Sequence, residues 1–91
     1  MFTFPERLMR ILRTGEHEDS IRWCDDGKSF AIFSAVLSKK VLPLYFEGTK
    51  MESFNRNLNR WGFERIYIDG FSPQASVYRH TYFQKECPKL L

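Results

Sequence analysis

The sequence predicts an α+β domain in which three helices pack on a small antiparallel β-sheet, and three observations carry that prediction. Apolar residues recur at helical spacing in three stretches and alternate in four shorter ones. Gly, Asp and Pro signals separate the two kinds of stretch. With 91 residues, 43% of them hydrophobic, the chain has room for one domain and one modest core. Nine Phe in an aromatic fraction of 16% imply that a few large rings dominate that core.

The elements follow in order. Thr3 to Thr14 reads as the first helix, because Thr3 and Glu6 have capping-box spacing, Pro5 falls in the tolerated first turn and Gly15 follows the end. Phe4, Leu8, Ile11 and Leu12 supply its buried face, leaving Arg7, Arg10 and Arg13 to solvent. Ile21 to Cys24 and Ser29 to Phe33 are two strands of a hairpin around Asp25-Asp26-Gly27-Lys28. Ile21 and Trp23 alternate with Arg22, and Phe30 and Ile32 with Ala31, as in half-buried strands. Two adjacent acids also suggest a calcium loop, but such a loop needs more oxygen ligands at fixed spacing than this turn supplies.

Ser34 is placed to cap a second helix running towards Phe46, with a kink or bulge at Pro43. Glu47-Gly48 ends it, and a third helix begins at Thr49 almost at once, which makes a helix-turn-helix. Glu64 to Ile68 then alternates as a strand, Asp69 to Ser76 is a loop, and Val77 to Phe83 is a last strand with Tyr78, His80 and Tyr82 on one face. A hairpin after the third helix completes a winged helix-turn-helix. The expected organisation is a single domain over residues 1–91, with 84–91 as a loose tail.

The third helix is the candidate functional element. Met51, Phe54, Leu58 and Trp61 fall on one stripe, and at about 100° per residue Arg56 lies opposite it, flanked by Glu52, Asn59 and Arg60. Thr49 and Glu52 have the spacing of a second capping box, and Gly62 can end the helix. An outer face of guanidinium and amide groups suits paired hydrogen bonds to base edges. A helix with a charged outer face is also what an ordinary surface helix looks like.

Other functions find little support. A net charge of +3 is compatible with an anionic partner, although the charge is spread along the chain. Cys24 and Cys87 form no C-x-x-C and no metal-ligand spacing with His17 or His80, so no metal and no cofactor is expected, and a reduced intracellular compartment is the default. No apolar run approaches the length of a membrane span, and the N-terminus lacks the apolar core of a signal peptide. His17-Glu18 is not followed by the second histidine of a zinc protease, no Ser or Cys has a visible base and no Gly-rich phosphate loop occurs, so no catalytic residue is assigned.

Four separated stretches, in order, carry a resemblance. They are F-P-E-R-L-M-R-I-L from Phe4, I-R-W-C-D-D-G-K-S-F-A-I-F from Ile21, V-L-P-L-Y-F from Val41 and S-F-N-R-N-L-N-R-W-G-F-E-R-I from Ser53. The chain resembles the DNA-binding domain of heat shock transcription factors over nearly its whole length. The last stretch is the most specific, being similar to that family's S-F-V-R-Q-L-N-x-Y-G-F. Tyr78, His80 and Phe83 resemble its closing F-x-H-x-x-F.

The resemblance implies a nuclear transcription factor domain that binds double-stranded DNA at inverted GAA-type repeats, with the third helix in the major groove. It makes Arg56 the guanine reader, in agreement with the helical-wheel position. It places Ser53, Asn59, Trp61 and Arg65 at phosphate or groove-side contacts, and Lys50, Asn55, Asn57 and Arg60, on the same segment, are expected to support DNA binding with them. Trp61 also completes the apolar stripe, so a core role stands beside a phosphate contact. For Arg56 the competing role is an ion pair with Glu52 one turn earlier.

The sequence departs from the family pattern within this segment. Asn55 replaces valine, Asn57 replaces glutamine and Arg60 is a new charge, while Glu52 and Glu64 bring carboxylates where the family has a small residue and a basic or imidazole one. Near phosphates those carboxylates repel, which favours a second hypothesis: a winged helix serving as a protein-interaction module. The chain ends before any heptad repeat, so the expectation is a fragment, monomeric alone, of a protein that trimerises through a coiled coil.

Overall fold

A computed structural model describes residues 3–85. Its elements are α1 (Phe4–Thr14), β1 (Ile21–Trp23), β2 (Ser29–Phe33), α2 (Ser34–Lys40), α3 (Leu42–Tyr45), α4 (Met51–Arg60), β3 (Glu64–Ile66) and β4 (Ala75–Arg79). The strands form one antiparallel sheet in the order β1-β2-β4-β3, so the winged helix-turn-helix architecture is as predicted.

α1 starts with the expected reciprocal cap. Thr3 Oγ1 accepts from the Glu6 N–H at 3.3 Å, and the Thr3 N–H donates to Glu6 Oε1 at 2.8 Å. Phe4, Leu8, Ile11 and Leu12 are buried, joined by Met9. Arg7 departs from expectation: it is half-buried, its guanidinium 5.6 Å from the Phe46 ring centroid and its Nη1 donating to the Tyr45 carbonyl at 3.5 Å. A long arginine stem covers apolar surface while its head satisfies a carbonyl that ends a helix.

The β1–β2 turn is built by Asp26. Its Oδ1 accepts from the Lys28 N–H at 2.9 Å, the Ser29 N–H at 3.1 Å and the Ser29 hydroxyl at 3.2 Å. β2 is more buried than an alternating strand should be, with Ser29, Phe30, Ala31 and Ile32 all inside, because β1 and β4 flank it on both edges.

The predicted second helix is two helices. Its break falls at Val41 (φ −100°, ψ −46°), and Pro43 lies in the first turn of α3. Pro43 has no N–H to give the Lys39 carbonyl and its ring crowds that carbonyl, so one continuous helix cannot pass. Ser34 is the first residue of α2 rather than its cap, and Phe33 at the N-cap makes no side-chain cap bond.

α4 begins one residue later than its expected cap. Lys50 is the N-cap, with no side-chain cap bond, which puts Glu52 a position short of where a capping box needs it. The Thr49–Glu52 box is therefore not formed. The far end behaves as predicted: Gly62 takes φ +81°, its N–H donates to the Asn59 carbonyl at 3.0 Å, and the Phe63 N–H donates to the Leu58 carbonyl at 2.9 Å. These are the two bonds of a Schellman cap.

Both wing strands are shorter than predicted. Tyr67 and Ile68 lie beyond β3 and are exposed, and β4 takes Ala75 and Ser76 from the expected loop. After Arg79 the backbone turns: the Tyr82 N–H donates to His80 Nδ1 and the Phe83 N–H to the His80 carbonyl, both at 3.0 Å. Tyr78, His80 and Tyr82 therefore do not alternate along one strand: Tyr78 is buried, while His80 and Tyr82 lie in the turn with ring centroids 5.9 Å apart. The turn instead drives Phe83 into the core, where it meets Phe63 with centroids 5.0 Å apart and Phe30 at 5.5 Å. Gln84 and Lys85 are not loose, since the Lys85 N–H donates to the Gly27 carbonyl at 2.8 Å and the Gln84 side chain to the Thr81 carbonyl at 3.2 Å. The rest of the expected tail, 86–91, with Cys87 and Pro88, lies outside the described residues.

Candidate nucleic-acid interface

The orientation of α4 is set by what it buries. Phe54 and Leu58 are each 0% exposed, and Met51 and Trp61 pack against the same cluster from its margins. Phe54 meets Phe4 of α1 at 5.3 Å between centroids and Phe46 at 5.5 Å, both edge-on. Two large buried side chains one turn apart leave the helix no rotation that keeps the core filled.

The opposite face is polar and open. Glu52, Asn55, Arg56, Asn59 and Arg60 are exposed, Ser53 and Asn57 are half-buried at its edges, and Lys50 is exposed at the N-cap. Among the described residues the ion pairs are Lys40–Asp19 at 2.8 Å and Arg79–Glu64 at 2.9 Å. Glu52 therefore does not engage Arg56, and the predicted competing role for that arginine is not realised. Its guanidinium, a planar fork of donors, makes no ion pair among the described residues.

Trp61 is the C-cap residue of α4, half-buried against the core, with its indole N–H unbonded among the described residues. Arg65 projects from β3, exposed, with its guanidinium 4.9 Å from the Tyr67 ring centroid. Ring stacking of this kind orients a guanidinium without consuming its charge. Ser53, Asn55, Arg56, Asn57, Asn59 and Arg60 thus share one helix, with Lys50 at its N-cap and Trp61 and Arg65 continuing from its end.

One relevant residue was missed in the sequence. Arg79 sits directly opposite Glu64 in the β3–β4 register and pairs with it, so the carboxylate expected to repel phosphate is already compensated. The signal was the register of two strands separated by a long loop, which alternation alone does not fix. Among the described residues no group of three or more His, Cys, Asp or Glu is placed to hold a metal ion, and no helix is long and apolar enough to cross a membrane.

Comparison with known proteins gives a consistent outcome. Residues 4–91 match the HSF-type DNA-binding family. The heat shock factor protein of Drosophila melanogaster is 34% identical across 97% of this chain, and Schizosaccharomyces pombe transcription factor prr1 is 30% identical across 97%. The chain spans 14% and 17% of the lengths of those two relatives. Among solved structures, Chaetomium thermophilum Skn7 with SSRE DNA superposes with a TM-score of 0.87 at 26% identity, over 96% of this chain and 91% of that one. The same protein with HSE DNA gives 0.80 at 27% identity, over 91% and 87%.

Proposed function

The chain belongs to the HSF-type DNA-binding family, and from that premise we propose that it is the sequence-specific, double-stranded DNA reader of a transcription factor, with α4 lying in the major groove. One observation carries this reading: Arg56 is exposed, and without an ion pair among the described residues, on the outer face of a helix whose inner face is locked by Phe54 and Leu58. Arg56 reads guanine in GAA-type repeats. Lys50, Ser53, Asn55, Asn57, Asn59, Arg60, Trp61 and Arg65 support it through phosphates and groove edges. The Skn7 structures, solved with SSRE and HSE DNA, support the double-stranded DNA partner by analogy.

The domain alone acts as a monomer of modest affinity. The resemblance supports a nuclear, homotrimeric full-length protein in which linked domains raise one another's effective concentration. No catalytic residue is assigned. The pairing of Glu64 with Arg79 removes one of the two features that favoured a protein-interaction module, leaving Glu52.

The test is a titration against an inverted GAA-repeat duplex and a scrambled one at two salt concentrations. Tight binding that weakens with salt and collapses on scrambling is the expected result. Equal binding to both duplexes would mean a different target, and binding to neither would favour the protein-interaction module.

A further inference from the structure

Beside the C-terminal end of α4 lies an open cleft of about 430 Å³, lined among others by Lys28, Gly62, Glu64, Arg79 and His80. Strand register assembles it. Arg79 of β4 stands opposite Ser29 of β2 on one side and Glu64 of β3 on the other, so Lys28, next to Ser29, and Glu64 flank the same arginine. Gly62, just past the end of α4, lines the cleft beside His80, and a Cβ there would lie 3.4 Å from His80 Nε2.

The ion pair is unusual in what it leaves unused. Glu64 Oε1 takes only the Nε–H of Arg79, at 2.9 Å. Both distal nitrogens of the guanidinium remain unbonded among the described residues, as does the Lys28 ammonium. The side chains of the pair are 59% and 65% exposed, where an ion pair adds little to stability. Its effect is orientation: a carboxylate on Nε fixes the plane of the fork and turns its outer donors to a second anion. Two cations against one carboxylate also leave the cleft with positive charge to offer.

We propose that this cleft is a phosphate site in which Arg79, oriented by Glu64, and Lys28 seat a backbone phosphate of double-stranded DNA next to the end of α4. The proposal rests on the DNA-reading role given to α4. Glu64 is a positioning residue, and neither cation reads sequence, because a phosphate contact fixes register without reporting base identity.

The test titrates the unaltered protein, Lys28→Gln/Arg79→Gln and Glu64→Ala against the inverted GAA-repeat and scrambled duplexes over a salt series. The double variant should weaken both complexes by a similar factor and make the slope of log affinity against log salt shallower by about 0.9 for the one phosphate released. A purely structural role would not move that slope. Glu64→Ala should weaken binding although it deletes a negative charge, and tightening would overturn the positioning role. Wild-type affinity and slope in the double variant, with specific binding by the unaltered protein, would overturn the phosphate site alone. No binding by the unaltered protein to either duplex would overturn the α4 reading and this site with it. Saturable NMR shifts at Arg79 with inorganic phosphate at matched ionic strength, but none with duplex, would make it a free-anion site and overturn the assignment to DNA.

Discussion

The Phe54 ring stands edge-on to Phe4, their centroids 5.3 Å apart, and this contact between α4 and α1 decides where Arg56 points. Two residues along a helix is a rotation of about 200°, so anchoring Phe54 inward turns Arg56 out. Arg56→Ala should therefore leave the fold intact while abolishing discrimination for the G of GAA, worth about 1–3 kcal/mol. Competition with duplexes altered at that single base pair measures it, alongside a thermal melt. Retained discrimination would remove α4 from the groove.

Leu58 makes the complementary case. It is 0% exposed on the same inner face, one turn after Phe54. Leu58→Ala should destabilise the domain by about 2–5 kcal/mol through lost transfer energy and the cavity left behind. Urea denaturation gives the number directly, and a cost near zero would mean that the helix faces are assigned backwards. The effect is large for a domain whose total stability is of the order of 5–15 kcal/mol.

The faces of α4 were legible because period and burial are one physical fact: Phe54 and Leu58 are apolar, one turn apart, and both inside. The α1 capping box and the Gly62 terminus were legible for a related reason, each being a local backbone requirement met by a specific residue type. What failed was register. Thr49 and Glu52 have capping-box spacing, yet the chain leaves the Phe46 turn one residue later and caps at Lys50. The turn after Arg79 replaced an alternating strand because burying Phe83 against Phe30 and Phe63 outweighed extending the ladder. The Glu64–Arg79 pair required knowing which residues face each other across the sheet, which tertiary packing decides.

Asp26 gives the turn a pH dependence. The Lys28 N–H, followed by the N–H and hydroxyl of Ser29, holds its carboxyl below the usual carboxylate range. A pKa depressed in the native state adds stability that is complete above the ordinary value of about 3.9 and is lost as pH falls through the lower native one. Asp26→Ala should thus be less stable than the unaltered domain at neutral pH, with the gap narrowing below about pH 4. Urea midpoints at neutral and acid pH test this. A gap constant with pH would mean that the ionised carboxylate is not what secures the hairpin.

Glu52 is exposed in the first turn of α4, on the face that carries Arg56, and among the described residues forms no ion pair. Two opposing effects follow from that position. A carboxylate near the start of a helix favours the helix by about 0.3–1 kcal/mol, whereas beside a phosphate backbone it repels. Glu52→Ala should accordingly lower thermal stability slightly and tighten DNA binding. The tightening should be greatest at low salt, where the screening length grows from about 10 Å at 0.1 M to about 30 Å at 0.01 M. Affinity measured at those two ionic strengths separates the alternatives. If binding weakens instead, Glu52 orients Arg56 in the complex, and the carboxylate that departs from the family pattern belongs to the reading surface rather than opposing it.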